Sequence, residues 1–507
     1  MLASGIPLKE KQANQGDSPL NIAIVSSEAV PFSKTGGLAD VSGALARSLA
    51  GLGHDVRLII PHYALPDQKQ ADLPSITDTA QMTARVLQSK LPGSNVTVYL
   101  IDQPHYFERN GLYVVDGADY PDNCERFSFF SRAALRAMAR LQFHPDIVHA
   151  NDWQTGLVPA LIKAGEGAAL FKRQPATVFT LHNLAFQGRF WRWDYPLTGL
   201  DWKHFNWQET ESHDHLNLIK TGIVFSDSVT TVSPTYAEEI QTEEFGCGLS
   251  SVLRAHNTKL FGILNGIDTE VWDPGIDRLI PANYSIENFA DGKLACRKAL
   301  REAVGLPDAP DVPVIGMVSR MTDQKGFDLI EEIGDELTDG KMQLVFLGTG
   351  DSRFEKMLGK LAAKAVQSVS VTVGFDEKLA HLIEAGSDMF LMPSRYEPCG
   401  LNQMYSLAYG TIPIVRRVGG LADSVVDATA QNIRNGTANG FVFSDYTPLE
   451  LHETIDRAVT MFENRKVWQQ LVRCGMNRDW SWSRSAAEYL QVYRHAMANR
   501  PGAAAGN

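Results

Sequence analysis

The feature that most constrains the fold is a pattern that occurs twice, about 290 residues apart. Asn21–Val30 (NIAIVSSEAV) reads as a buried strand running into a polar loop. Behind that loop, Leu38, Val41, Leu45, Leu49 and Leu52 recur at spacings of three and four, one face of a helix. Gly51 and Gly53 stop the helix, and Val56–Ile60 supplies a second apolar strand. Strand, glycine loop, helix, strand is the first half-unit of a doubly wound parallel sheet. The order returns with Pro313–Val318 as strand, residues 319–326 as polar loop, Phe327–Leu337 as helix and Leu344–Leu347 as the next strand. Further strand-like pieces follow each copy: Ile147–Ala150, Thr177–Leu181 and Val229–Val232 in the first half, Met389–Met392, Ile412–Val415 and Phe441–Phe443 in the second. The expectation is α/β: two Rossmann-like, doubly wound lobes. Open parallel sheets bind ligands beyond the carboxyl ends of their strands, so both lobes would aim their strand-end loops into an interlobe cleft.

Length agrees with two lobes, since 507 residues exceed what one hydrophobic core organises. The charge balance narrows the ligand. With 47 Lys+Arg against 59 Asp+Glu, the net charge is −12, so the chain lacks the broad cationic surface that nucleic acid or anionic lipid requires. An anionic ligand must then be met by a few placed cations. No apolar run nears the roughly 20 residues that span a bilayer. The polar first 19 residues read as an N-terminal extension. Five cysteines, odd in number and far apart, form neither a disulfide framework nor a zinc motif, and a cytoplasmic location is expected.

The unusual residue clusters fall at strand ends. In the first, Glu28–Val41, Lys34 precedes Gly36 and Gly37 ahead of a helix, where free backbone N–H groups and a close approach suit an anion. Read alone, Lys-Thr-Gly-Gly is as well explained by a plain turn. In the second, Arg320 and Lys325 flank a loop closed by Gly326, and both can point at one anion with a helix N-terminus behind them. The third places Glu397 at a strand end, with Cys399, Gly400 and Leu401 leading into a helix, a sugar-hydroxyl acceptor beside a diphosphate cradle. No histidine near Cys399 in sequence supports a thiol mechanism. Three smaller clusters are His149–Trp153, which sets Asp152 beside an aromatic platform, then His182-Asn183, then Leu264–Asp268 with Asn265. No Asp-x-Asp or other carboxylate cluster offers a metal site, so neither metal nor cofactor is expected.

In order along the chain, KTGGLADV (Lys34–Val41), HNLAFQG (His182–Gly188), TVSPTYAEEI (Thr231–Ile240), LNGID (Leu264–Asp268), DQKGFDLI (Asp323–Ile330), RYEPCGLNQ (Arg395–Gln403) and GGLADSV (Gly419–Val425) resemble the bacterial glycogen synthase and plant starch synthase family of retaining glycosyltransferases. The resemblance implies the GT-B architecture. The domains it implies are an acceptor-side lobe over 20–264, a nucleotide-sugar lobe over 265–478, and a C-terminal helix from 479 crossing back to the first lobe. It implies transfer of glucose from ADP-glucose, a substrate rather than a cofactor, to the non-reducing end of an α-1,4-glucan. By motif, Lys34, Asp152, His182, Arg320, Lys325 and Glu397 become the catalytic set. The donor would be held by Lys34, Gly36, Gly37, Asn265, Arg320, Lys325, Glu397, Cys399, Gly400 and Leu401. Glu28, Tyr113, Asp122, Asn123 and Arg126 resemble acceptor-side positions. The chain departs from the family pattern at Asn402 (usually Thr), Asn151 (commonly His) and Met321 (Leu). Tyr405 stands where many retaining GT-B enzymes have a second Glu, as is usual in this branch. A transferase using UDP-glucose and a nucleotide-sugar epimerase are the neighbouring readings on the same scaffold.

Overall fold

The computed structural model describes residues 18–63, 77–81, 83–115 and 117–500. The N-terminal extension expected over residues 1–19 lies, except for Ser18 and Pro19, outside the described residues, and so does the tail beyond 500. The chain forms two compact units. One holds the described residues up to Gly266 and those from Trp482 onward, and the other is Ile267–Ser481.

The first unit carries strands β1 (Asn21–Val25), β2 (Asp55–Pro61), β3 (Thr77–Gln81), β4 (Arg85–Lys90), β5 (Thr97–Asp102), β6 (Val114–Val115), β7 (Ala118–Asp119), β8 (Ile147–Asn151), β9 (Ala176–Leu181), β10 (Arg189–Trp191), β11 (Glu211–Ser212), β12 (His215–Asn217), β13 (Ser228–Thr231) and β14 (Leu260–Gly262). Nine of them form one sheet in the order β14-β13-β9-β8-β1-β2-β5-β4-β3, parallel from β14 to β5. β3 and β4 extend it antiparallel. The chain winds from β1 outward through β2 and β5, then returns to lay β8 on the other side of β1. The switch point therefore lies between β1 and β8, and the loops after them open there. Ile22–Val25 are wholly buried, the uninterrupted apolar run of a strand covered on both faces.

β1 is shorter than the expected Asn21–Val30. After Val25 the chain folds back on itself: Ser26 Oγ donates to the Glu28 carbonyl, and Phe32 and Ser33 N–H both donate to Ala29. Helix α1 (Gly37–Gly51) buries Leu38, Val41, Leu45 and Leu49 as its spacing requires. Leu52 drops off that face and is 49% exposed, because the helix has already ended at Gly51. Helix α2 (Asn123–Arg140) follows the β6–β7 hairpin.

The second unit holds β15 (Val314–Val318), β16 (Gln343–Gly348), β17 (Val369–Val373), β18 (Met389–Met392), β19 (Ile412–Arg416) and β20 (Phe441–Phe443). They form one parallel sheet ordered β17-β16-β15-β18-β19-β20. The winding repeats that of the first unit, and the switch point falls between β15 and β18. Helix α3 (Phe327–Glu332) is about half the length expected, since Gly334 interrupts the run and only a short tight turn, Glu336–Thr338, follows. Helices α4 (Asn402–Ala408) and α5 (Gly419–Ser424) follow β18 and β19. Both units are Rossmann-like, as the twice-occurring strand–loop–helix–strand pattern predicts.

The last helix, α6 (Trp482–Asn499), belongs to the first unit. Trp482, Ala486, Tyr489, Val492, Tyr493 and Ala496 enter the same core as Ile22, Ile24, Leu45 and Val98.

Candidate functional site

In the first unit, the loops after β1, β8 and β9 carry the polar residues of interest on three adjacent strands. Glu28, past the end of β1, is buried, and its carboxylate accepts from Thr35 N–H and Oγ1 and from the Tyr113 hydroxyl. Burial outweighs these bonds and pushes its pKa up. One backbone N–H of the Lys-Thr-Gly-Gly loop is thus spent on Glu28 instead of facing a ligand. Gly36 caps α1 in an extended conformation open to any residue, and a Cβ there would meet nothing within 4 Å. Neither torsion nor packing against the described residues demands glycine at this position. Lys34 is exposed, and its Nζ lies 2.8 Å from Asp40 Oδ1. An exposed pair of this kind stabilises by at most about 1 kcal/mol, so a phosphate can compete for the lysine.

Asp152 sits just past β8 with φ 57°, a left-handed conformation uncommon outside glycine. The geometry aims its carboxylate at β9, where Oδ1 accepts from the His182 N–H at 2.8 Å. Burial raises its pKa to about 7, against the lowering effect of the His182 and Asn183 N–H groups and with a contribution from Glu28. Burial holds His182 neutral, with a pKa near 3. Its Nε2 lies 3.0 Å from Asn151 Oδ1, while Asn151 Nδ2 donates to the Val25 carbonyl. With the amide so oriented, Nε2 carries the proton and Nδ1 is left as acceptor. Asn151, where the family commonly has His, thereby sets the tautomer of His182. Trp153 packs edge-on against Phe127 at 5.0 Å and tilted against Phe190 at 5.9 Å.

Asn265 lies in the first unit, buried, and its Oδ1 has no hydrogen-bond partner among the described residues. Of the acceptor-side positions, Tyr113 holds Glu28, and Asp122 is paired to Arg109 at 2.6 Å. Arg126 is fully buried and donates to the Tyr106 and Leu112 carbonyls and to Asn123 Oδ1. It organises residues 106–123 from within instead of facing a substrate.

In the second unit the switch point joins two of the expected residues. Lys325, in the loop after β15, places Nζ 2.6 Å from Oε2 of Glu397, in the loop after β18 and 72 residues away. Ser394 Oγ donates to the same carboxylate oxygen at 3.0 Å. Gly326 makes the approach possible: at φ 81° it is left-handed, and a Cβ would lie 2.2 Å from the Pro393 carbonyl oxygen. Arg395 N–H donates to the Gln324 carbonyl, lacing the loops together. Arg320 is exposed, and its guanidinium makes no hydrogen bond or ion pair among the described residues. Cys399 is buried, and Gly400 and Leu401 are half-buried, just ahead of α4. Asn402 Nδ2 donates to the Val318 carbonyl, so the residue that departs from the family threonine ties α4 to the end of β15.

Sequence reasoning assigned no role to Ser394 and read Gly419 and Gly420 only as part of a family motif. Ser394 orients Glu397, and its only signal was being a hydroxyl at a strand end. Gly419 and Gly420 open α5 so close to the site loop that Cβ atoms would fall 2.0 Å from the Glu397 carbonyl and 2.1 Å from the Cys399 carbonyl. Phe375, just past β17 on the carboxyl edge of the sheet, is 91% exposed, the most exposed large apolar side chain among the described residues. Among those residues no three His, Cys, Asp or Glu side chains group as a metal site would require, and no helix is long and apolar enough to cross a membrane.

A starch synthase catalytic domain profile matches residues 21–255, and a glycosyl transferases group 1 profile matches 300–473. The chain is 46% identical to glycogen synthase 1 of Methylococcus capsulatus, over 94% of this chain and 97% of that one. The chain belongs to the glycogen and starch synthase family. This synthase is thus a glycosyltransferase whose two matched profiles fall one in each compact unit. It is also 44% identical to glycogen synthase of Rhodopirellula baltica, over 94% and 98% of the two chains. Among solved structures it is similar to the catalytic domain of starch synthase IV from Arabidopsis thaliana, bound to ADP and acarbose, with a TM-score of 0.84, 33% identity, and 95% and 100% of the chains covered. Sucrose-phosphate synthase from Thermosynechococcus elongatus, at 16% identity and a TM-score of 0.59, shares the fold.

Proposed function

We propose that this synthase is a glycogen synthase that transfers glucose from ADP-glucose to the non-reducing end of an α-1,4-glucan, with Arg320, Lys325 and Glu397 as the centre of its donor site. The observation that carries this reading is the Lys325–Glu397 pair at the β15/β18 switch point, with the unpaired cation Arg320 in the same loop. Glu397 is buried with one carboxylate oxygen already taken by Lys325 and Ser394. Its other oxygen can accept from sugar hydroxyls. The ADP-bound starch synthase and the glycogen synthase relatives support the nucleotide and the acceptor.

Glucosyl transfer breaks the bond from C1 to the diphosphate and leaves an oxocarbenium-like sugar with growing negative charge on phosphate. The enzyme must hold that charge more tightly in the transition state than in the bound donor. Lys325, held by Glu397, does so as a pre-placed cation and Arg320 as an exposed, unpaired one, while Lys34 is free to exchange Asp40 for an anion's oxygen. Gly36 and Gly37 admit the donor closely. Cys399, Gly400 and Leu401 line the approach to α4, Asn265 offers its unpaired oxygen to the donor, and Phe375 offers an apolar face to the adenine. His182, neutral and tautomer-fixed, contacts the transferred glucose as a hydrogen-bonding group and adds no positive charge.

Asp152 bears on how configuration is retained. With a pKa near 7 it is substantially protonated at neutral pH, which suits a hydrogen-bond donor or acceptor better than a nucleophile. Front-face attack fits: the acceptor oxygen bonds to C1 as the phosphate departs, and the leaving phosphate oxygen takes the acceptor's proton. We assign no metal to this step, because the placed cations supply the charge. A chelator such as EDTA should therefore leave turnover unchanged, and activity restored only by added divalent ion would count against the assignment. A cytoplasmic location fits the five cysteines, none of them disulfide-bonded.

The test is incubation with ADP-[¹⁴C]glucose and glycogen, followed by counting of precipitated glucan. Label in the precipitate is expected. Label appearing only from UDP-glucose would overturn the donor, and none from either would overturn the reaction.

A further inference from the structure

In the second unit, the loops of Phe375 and Glu397 follow strands that are not neighbours. β16 and β15 lie between β17 and β18. The interstrand steps across them put roughly 14 Å between the two strand ends. Behind the loops, side chains build a second connection. Phe375 stands two residues ahead of the helix Glu377–Gly386, and the Glu397–Leu401 loop runs directly into α4. Trp272, from the segment that opens the second unit, is the middle ring of a stack of three between these helices. His381 of the first helix stacks on it at 3.9 Å between centroids and 11° between planes, and Tyr405 of α4 at 4.0 Å and 10°. Two rings at such distances from one centroid cannot share a face without overlapping, so they cover opposite faces of the indole. Five residues on, Asp277 makes the same link with hydrogen bonds. Its buried Oδ2 accepts from His381 Nδ1 at 2.8 Å and from the hydroxyl of Tyr409, just past α4, at 2.6 Å. Burial alone would raise the Asp277 pKa, but these two bonds and the Leu279 N–H hold it below its ordinary value. The helices also touch directly, with Ser406 Oγ donating to Glu384 Oε2 at 2.6 Å.

We propose that Trp272 and Asp277 are positioning residues for the nucleotide-sugar donor, holding the Phe375 and Glu397 loops at the span of one nucleoside diphosphate. The inference rests on the donor-site reading above, in which Phe375 meets the adenine while Glu397, Lys325 and Arg320 meet the sugar and phosphates. Both faces of Trp272 are already covered and Asp277 is buried, so the two act through the helices they join and not by touching the donor. The sandwiched indole sets the separation of the helices. The Asp277 bonds restrain sliding across its faces, because a hydrogen bond weakens steeply with misalignment. Plain core packing would be met by aliphatic side chains, without a carboxylate whose burial carries a cost of its own. A ligand that reaches two loops gains fully from its second contact only when the loops already stand at the right distance. Freedom between them is an ordering cost incurred on binding.

The experiment titrates the full-length protein with three ligands, by calorimetry and, for the weak ones, by ligand-observed NMR. ADP spans both loops, adenosine reaches only the first, and pyrophosphate only the second. Trp272→Ala should raise the Kd for ADP about tenfold while those for adenosine and pyrophosphate stay within about twofold. Trp272→Phe, which keeps a flat ring in the stack, should return the ADP Kd to near the wild-type value. Loss of packing alone would lower the melting temperature and either spare all three ligands or weaken them together, and either pattern would overturn the proposal. Should Trp272→Ala fail to fold, His381→Leu is read by the same criteria, since it removes one ring of the stack and one bond to Asp277 while filling the space. A wild type that binds no ADP would overturn the donor reading and the proposal with it. A variant that binds ADP as well as an ADP-binding wild type would overturn the proposal alone.

Discussion

At the scale of single residues, environment decides chemistry more than residue type. Lys34 and Lys325 are both paired lysines at strand ends, yet one faces solvent beside Asp40 and the other is largely enclosed against Glu397. Removing a pre-placed charge from the transition state typically costs on the order of 10²–10³ in turnover. Lys325→Ala and Arg320→Ala should each lower kcat by about that factor; Arg320→Ala should leave the melting temperature unchanged, whereas Lys325→Ala, which strands the buried Glu397 carboxylate, should lower it, and wild-type turnover in either folded variant would refute the role. Asp152 gives a pH prediction. Its folded pKa, about 7, lies above the ordinary 3.8, so the native state holds the proton more tightly than the unfolded chain does. The stability this contributes is complete below about pH 4 and is lost as pH rises towards 7. Asp152→Asn, which cannot ionise, should show a flatter melting temperature over that window than the wild type. Parallel curves would show that Asp152 is not the group responsible.

At the scale of elements, each unit carries its candidate residues on loops gathered at its own switch point. Gly419 and Gly420 let the start of α5 rest on the backbone of Glu397–Cys399, where a Cβ has no room. Gly420→Ala must therefore push this loop away from α5. A rise in KM for ADP-glucose with a melting temperature lowered by a few degrees is expected, and wild-type values for both would show that the contact is slack. Strand positions were readable in the sequence because a strand buried on both faces is an unbroken apolar run with a polar loop after it. Helix ends were less readable. Phe327–Leu337 has helical spacing throughout, yet helix stops at Glu332 because backbone freedom at Gly334 outweighs the side-chain pattern. The exposed tryptophans Trp191, Trp193, Trp202 and Trp207 were invisible to the same reasoning, since periodicity reports burial.

At the scale of the whole molecule, the first unit is assembled from two distant pieces of chain. Tyr493 of α6 is wholly buried and its hydroxyl lies 2.9 Å from His149 Nδ1 on β8, while Ser485 Oγ donates to the Leu264 carbonyl. Tyr493→Ala should destabilise the first unit by about 3–5 kcal/mol, the usual cost of deleting a large buried ring. Deletion of residues 482–507 should leave its core open and the protein insoluble or prone to aggregation. Differential scanning calorimetry and solubility would reveal either change, and an unaltered first-unit transition in both would refute the role of α6. The sequence alone determined the two doubly wound sheets, the strand ends at which Glu28, Asp152, His182, Arg320 and Glu397 stand, and the family, because these follow from local periodicity and ordered motifs. Tertiary structure alone decided which of those residues meet. Lys325 reaches Glu397 across 72 residues, Asn151 fixes the proton on His182, and Thr35 spends its N–H on Glu28. Such contacts depend on strand order, and strand order is set by how the sheet winds and not by any pattern along the chain. The Lys-Thr-Gly-Gly loop shows the division: its place was legible, and the partners of its lysine and its threonine were not.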